Sequence, residues 1–181
     1  MHTIPSRYNS SLHLALYDHL KPELGSALIQ TPLPIESVIS MLIISTWNLT
    51  PQITGKYIDS WLLSGVAIMH GMLNFDSDIS EENDGREEVA NKVRLWNILC
   101  LAHLRFSIGT GRPPIIGIQN FEKSGLYSKY FSGFDSRDQL IIAELKLYIC
   151  TSRLIEKTGS MLQLDSWTVI KDWREEYKYL D

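Results

Sequence analysis

Leu95-Trp96-Asn97-Ile98-Leu99-Cys100-Leu101-Ala102-His103-Leu104-Arg105-Phe106-Ser107-Ile108 is polar only at Asn97, His103, Arg105 and Ser107. Wound into a helix, this stretch turns apolar side chains to nearly every side. A surface helix keeps one polar face, and a helix without such a face belongs inside. The stretch therefore predicts a central helix over about 87–107 and an all-α fold built around it.

Helical spacing continues on both sides of this element. A first helix is expected from about Ser10 to His19, with Leu12, Leu16 and Leu20 on one face and Pro22 and Gly25 ending it. A second follows Pro34, with a buried stripe of Ile35, Val38, Ile39, Leu42 and Ile43 and a stop at Asn48 to Pro51. In a third, Ile58, Leu62, Val66, Met69 and Leu73 recur at spacings of three and four. Gly65 and Gly71 lie inside it. Each costs roughly 1 kcal/mol against alanine in a helix interior, so close approach of a neighbouring helix is expected to compensate.

Asn74 to Glu88 is a polar, acidic connection. Beyond the central helix, Gly109 to Gly117 reads as a turn or extended loop, because Pro113, Pro114 and three glycines exclude regular helix. Gln119 to Asp135 is expected to be loop with one helical turn. A fifth helix starts at Ser136, which forms a capping-box pattern with Gln139. Leu140, Ala143, Leu147, Cys150 and Leu154 make one apolar row, and Ile141, Leu145 and Tyr148 another; Gly159 suits the C′ position. A last helix from about Ser166 carries Ile170, Trp173, Tyr177 and Leu180 on one face and charges on the other. The expectation is a single domain over 1–181, an orthogonal or bundle-like array of about six helices.

Composition narrows the function. At 181 residues the chain is long enough to bury a substantial core, and 44% hydrophobic with 21% charged is ordinary for a soluble globular domain. The net charge of −4 and the lack of a Lys/Arg block argue against a DNA-reading surface. Cys100 and Cys150 lie in apolar surroundings without a CxxC partner, as buried thiols do. The start, Met1 to Arg7, lacks the apolar core of a signal peptide, and Val38 to Trp47 is too short to span a bilayer. The sequons at Asn9 and Asn48 then read as chance matches in an intracellular, cytosolic or nuclear protein.

Catalytic and metal patterns fail on spacing. His2, His13, His19, His70 and His103 are scattered, with no HExxH. Asp76, Asp78, Ser80 and Glu87 match a calcium loop in part, but Glu81 stands where such a loop needs glycine. Gly109-Thr110-Gly111-Arg112 follows a helix and precedes two prolines, which offer no N–H to a phosphate. There is no GxSxG elbow, and Glu144 reads as a surface or ion-paired glutamate. The sequence points to a protein that is not an enzyme, with no catalytic residue, cofactor or metal ligand of its own.

Three ordered motifs carry a family resemblance. Trp61-Leu62-Leu63-Ser64-Gly65-Val66-Ala67-Ile68-Met69 is similar to a helix with a "WLLSGIAIRMA"-type pattern. Arg94-Leu95-Trp96-Asn97 is similar to an "RLWW" helix, with Asn97 where other members often carry a second tryptophan. Gly111-Arg112-Pro113-Pro114-Ile115 is similar to the "GRP" turn after it. Over about residues 12–160 the chain resembles the fungal-specific transcription factor domain, or middle homology region, of fungal binuclear zinc-cluster regulators. The resemblance implies a nuclear regulatory and interaction module, with protein partners or a homodimer and with DNA and zinc handled only by an N-terminal cluster absent from these residues. Two other readings stay open: a protein-assembly scaffold of kinetochore type that kept the fold, and a domain that senses a small-molecule effector. The motif residues Trp61, Gly65, Trp96, Gly109, Gly111, Arg112 and Pro113 are expected to be structural. Arg112 in particular should cap carbonyls at the end of the central helix or pair with an acid.

Overall fold

A computed structural model of the chain describes residues 10–31, 33–47, 58–75, 86–121 and 135–158, together with 167, 170–171 and 174–175. Five helices have defined bounds: α1 (Ser10–Ala27), α2 (Ile35–Thr46), α3 (Ser60–Phe75), α4 (Arg86–Thr110) and α5 (Ser136–Thr158). A helical turn covers 118–121, and the described residues from 167 to 175 are helical, where the last helix is expected. No strand occurs among the described residues, and the fold is all-α. Gly159, Trp173, Tyr177, Leu180 and the acidic connection after Phe75 up to Gly85 lie outside the described residues.

α4 is the centre. It packs against α2, α3 and α5, and α3 packs in turn against α2. Leu99, Cys100, His103 and Leu104 have no solvent exposure, and Val89, Val93, Trp96, Asn97, Leu101 and Ser107 are also buried. The apolar character around the helix is explained by this three-sided cover. Ile98 and Arg105 face out. Arg105 ends 2.6 Å from Glu144 of α5, so Glu144 is ion-paired. At the other end of α4, Arg94 grips both oxygens of the buried Asp138 at 3.0 Å.

Five local readings need correction. α1 runs through Pro22 to Ala27. A proline inside a helix forfeits one hydrogen bond and crowds the preceding turn. Here Leu24 and Ala27 pack against the core beyond it, and their burial holds the helix together. On α2 the buried residues are Val38, Met41, Leu42 and Ser45, while Ile39 and Ile43 face out. On α3 they are Leu63, Ser64, Val66, Ala67, Ile68 and His70, while Leu62, Met69 and Leu73 face out. The buried faces mix large residues such as Met41, Leu63 and Ile68 with small or polar ones, Ser45, Ser64 and Ala67, so a count of large apolar side chains misplaces both stripes. In α5 Leu140 is exposed, and Ile142 and Ile149 are buried instead.

The start of α5 shows the fifth. Asp135, not Ser136, is the N-cap: its Oδ1 accepts the N–H groups of Arg137 at 2.8 Å and Asp138 at 3.0 Å. Asp138 reaches back to the Asp135 N–H at 3.2 Å. This is a reciprocal capping box displaced by one residue from Ser136 and Gln139. A carboxylate accepts more strongly than a serine hydroxyl and also suits the positive end of the helix dipole.

Because Leu99 is fully enclosed, Leu99→Asp places an unpaired charge in the core. We expect a loss of about 4 kcal/mol or more, enough to unfold a marginal domain, read as loss of helical circular dichroism or of a cooperative urea transition.

Candidate functional site

Two of the three sequence motifs meet at one place, where the chain leaving α4 comes back against the start of α3. α4 closes at Thr110, three residues later than its apolar run suggests, so Gly109 is helical. Gly111 follows with φ +69°, the left-handed conformation that glycine adopts without strain. Its N–H bonds the Ile108 carbonyl at 3.2 Å, and the Arg112 N–H bonds the Ser107 carbonyl at 3.0 Å. That pair of bonds is a Schellman closure, which satisfies carbonyls the helix end leaves open.

Arg112 is therefore not needed as a carbonyl cap. It pairs with the Asp59 carboxylate at 2.5 Å, the second of the two roles expected for it. Asp59 is the N-cap of α3, accepting the Leu62 N–H at 3.1 Å. Burial pushes the Asp59 pKa up, but the Arg112 and Leu62 hydrogen bonds and the Arg112 charge outweigh it and hold the carboxyl below its usual range. The guanidinium also lies over the Trp61 ring, 5.1 Å from its centroid, a cation–π distance. The Trp61 indole N–H donates to the Pro113 carbonyl at 3.1 Å. Asp59, Trp61, Arg112 and Pro113 thus fasten the turn to α3.

Beneath Trp61 sits His103. The backbone N–H of Ile115 can only donate, so His103 Nε2, 3.0 Å away, accepts. The neutral ring then carries its proton on Nδ1 and donates to Ser64 Oγ at 2.9 Å. Ser64 passes its own hydroxyl proton to the Trp61 carbonyl at 3.0 Å. The Trp61 ring is tilted against it with centroids 6.2 Å apart, and Phe121 stacks on it at 6.5 Å. Burial pushes the His103 pKa down to about 4. The ring is fully enclosed.

Gly65 completes the joint. A Cβ there would collide with the tip of the Ile115 side chain and lie 3.2 Å from His103 Cε1. The close approach comes from the turn and one side chain of α4 rather than from a whole helix. Trp96 lies apart in the hydrophobic core. Asp59 and Phe121 lie outside the motifs, and Ser64 and Ile115 lie inside them without being singled out by the sequence.

Chemically the arrangement is closed. Ser64 and His103 touch, but the serine proton is committed to a carbonyl and the imidazole has no exposed surface. A nucleophile needs a reacting atom within reach of its oxygen. Among the described residues no group of three or more His, Cys, Asp or Glu side chains is placed to hold a metal ion. The site is a mechanical joint between the end of α4 and the start of α3.

Two measurements check it. Arg112→Ala should cost about 1–2 kcal/mol in urea denaturation, since the pair is partly exposed and the ring contact adds modestly. A double-mutant cycle with Asp59→Asn should return a coupling of about 0.5–1 kcal/mol that shrinks at high salt. Stability should also depend on His103. The unfolded ring, near its usual 6.5, binds protons more readily than the folded one. The contribution is therefore fully present above about pH 6.5 and falls away as pH drops towards 4, by about 2–3 kcal/mol. His70, lowered by burial, acts in the same direction. His103→Gln should flatten the slope of stability against pH in this window.

Comparison with known proteins places this joint in context. The transcriptional activator of proteases prtT of Aspergillus clavatus is 32% identical over 157 residues, covering 82% of this chain and 24% of that protein. The activator of the same name from Aspergillus niger is 28% identical over 185 residues, 98% of this chain and 29% of that protein. That of Aspergillus oryzae is 30% identical over 162 residues, 82% and 23% respectively. The chain spans about a quarter of the length of these relatives. No solved structure matches. The family model described as the middle domain of the transcriptional activator of proteases prtT matches residues 2–180, and the chain belongs to this family of fungal transcription-regulator middle domains.

Proposed function

We propose that this domain is the regulatory and interaction module of a nuclear transcriptional activator that controls protease genes. The match to the prtT middle domain over residues 2–180 carries the reading. The fold supports it. The motif residues are spent on fastening helices, and the Ser64–His103 pair is sealed, which suits a regulator rather than a catalyst. A net charge of −4 suits a domain that leaves DNA contact to a separate part of the activator and works through protein partners or a second copy. No helix among the described residues is long and apolar enough to cross a membrane.

A domain exchange tests this. In an Aspergillus niger strain whose prtT activator lacks its middle segment, this chain is inserted in its place and protease transcripts are measured. We expect transcripts several-fold above those of the deletion strain. A chimera that accumulates in the nucleus but leaves transcripts at the deletion level would falsify the reading.

A further inference from the structure

Several of the contacts that hold residues 111–116 against α3 converge on one buried ring. Ile115 donates its N–H to His103 Nε2 and lays its side chain on Gly65. Pro113 accepts from Trp61, which flanks the same ring, and Arg112 covers Trp61 from outside. We propose that residues 111–116 form a strap that opens as a unit when His103 gains a proton, while α3 and α4 stay folded.

The reason is donor and acceptor count. A neutral imidazole offers one donor and one acceptor, and an imidazolium offers two donors. The Nδ1 donor already has Ser64 as its acceptor. A proton on Nε2 would face the Ile115 N–H, donor against donor, 3.0 Å apart. The backbone N–H cannot reverse its role, so the Ile115 end of the strap must move. Ser64 gives no relief, because its proton is held by the Trp61 carbonyl.

Among the described residues no anion acts on the ring to balance the cation, and burial is the only influence on its pKa. Of the charged groups on the enclosing elements, Asp59 at the start of α3 is paired with Arg112 of the strap. On α4, Arg94 and Arg105 are cationic and engaged with Asp138 and Glu144 of α5. His70 of α3, whose pKa burial lowers, offers no negative charge either. The root of the strap stays tied to α4, because the Schellman bonds from Gly111 and Arg112 run back to Ile108 and Ser107 and do not involve the His103 ring, so the opening hinges there. The helices keep their mutual packing through Leu63, Val66, Ala67, Leu99 and Leu104, none of which belongs to the strap. Opening uncovers the first turn of α3 with Asp59, Trp61 and Gly65, and so makes a second surface state. This inference stands on the joint alone and does not depend on the protease-gene reading.

Amide hydrogen exchange on the wild-type chain, followed by NMR between pH 6.5 and 4.5, tests it. The protection factor of the Ile115 amide should fall at least tenfold across this range, while those of Leu99 and Ile68 hold. The ring nitrogen shifts of His103 should report an Nδ1–H tautomer at pH 6.5 and titrate together with the Ile115 loss. His103→Gln should remove most of that loss. Protection lost at Ile115, Leu99 and Ile68 together would overturn the proposal in favour of whole-domain unfolding. An Ile115 amide that stays protected while His103 titrates would overturn it as well. The wild-type measurements decide the matter even if the variant does not fold.

Discussion

The imidazole of His103 must satisfy two nitrogens in a place that water does not reach. A buried polar atom left unpaired costs about 1–3 kcal/mol, so the enclosure has to supply a donor and an acceptor in fixed directions. Ser64 supplies one from α3 and the Ile115 backbone supplies the other from the turn. Those two bonds set how α3 lies against α4 and how the chain leaves α4. The ion pair and the ring contact outside them complete a geometry the histidine has already fixed.

Around this joint the helices are held by ordinary burial. α4 contributes Leu99, Cys100 and Leu104 to a core closed by Val38 and Met41 of α2, Val66 to Ile68 of α3, and Leu145 and Ile149 of α5. Capping sets the register of the ends. Asp59 begins α3, Gly111 ends α4, and Asp135 with Asp138 begins α5. Asp59 and Asp138 each serve twice, capping a helix and receiving an arginine from elsewhere in the chain. Local secondary structure and tertiary contact are thereby fixed by the same carboxylates.

The sequence made the central helix legible because an all-round apolar run has one physical solution. It showed the glycine-proline turn for a similar reason: few conformations accept those residues. The buried faces of α2 and α3 were less legible. Counting large apolar side chains at helical spacing favours Ile39, Ile43, Leu62 and Leu73, yet the buried faces also take in Ser45, Ser64 and Ala67, which such a count passes over. The Arg112 partner was narrowed to two kinds and no further, since Asp59 lies 53 positions away and nothing local marks it. His103 was visible as a polar residue in an apolar helix. Its partners were not, because one is a backbone N–H, and every non-proline residue has one.

The contact between Gly65 and Ile115 has a consequence for how such domains diverge. Position 65 has no room for a Cβ while isoleucine fills the space from position 115. A lineage that acquired alanine at 65 would keep this joint by turning the tip of the side chain at 115 aside or by shortening it. The two positions are tied into a single drift unit across 50 residues of chain, and relatives that have parted at one of them should be read at the other before either is judged.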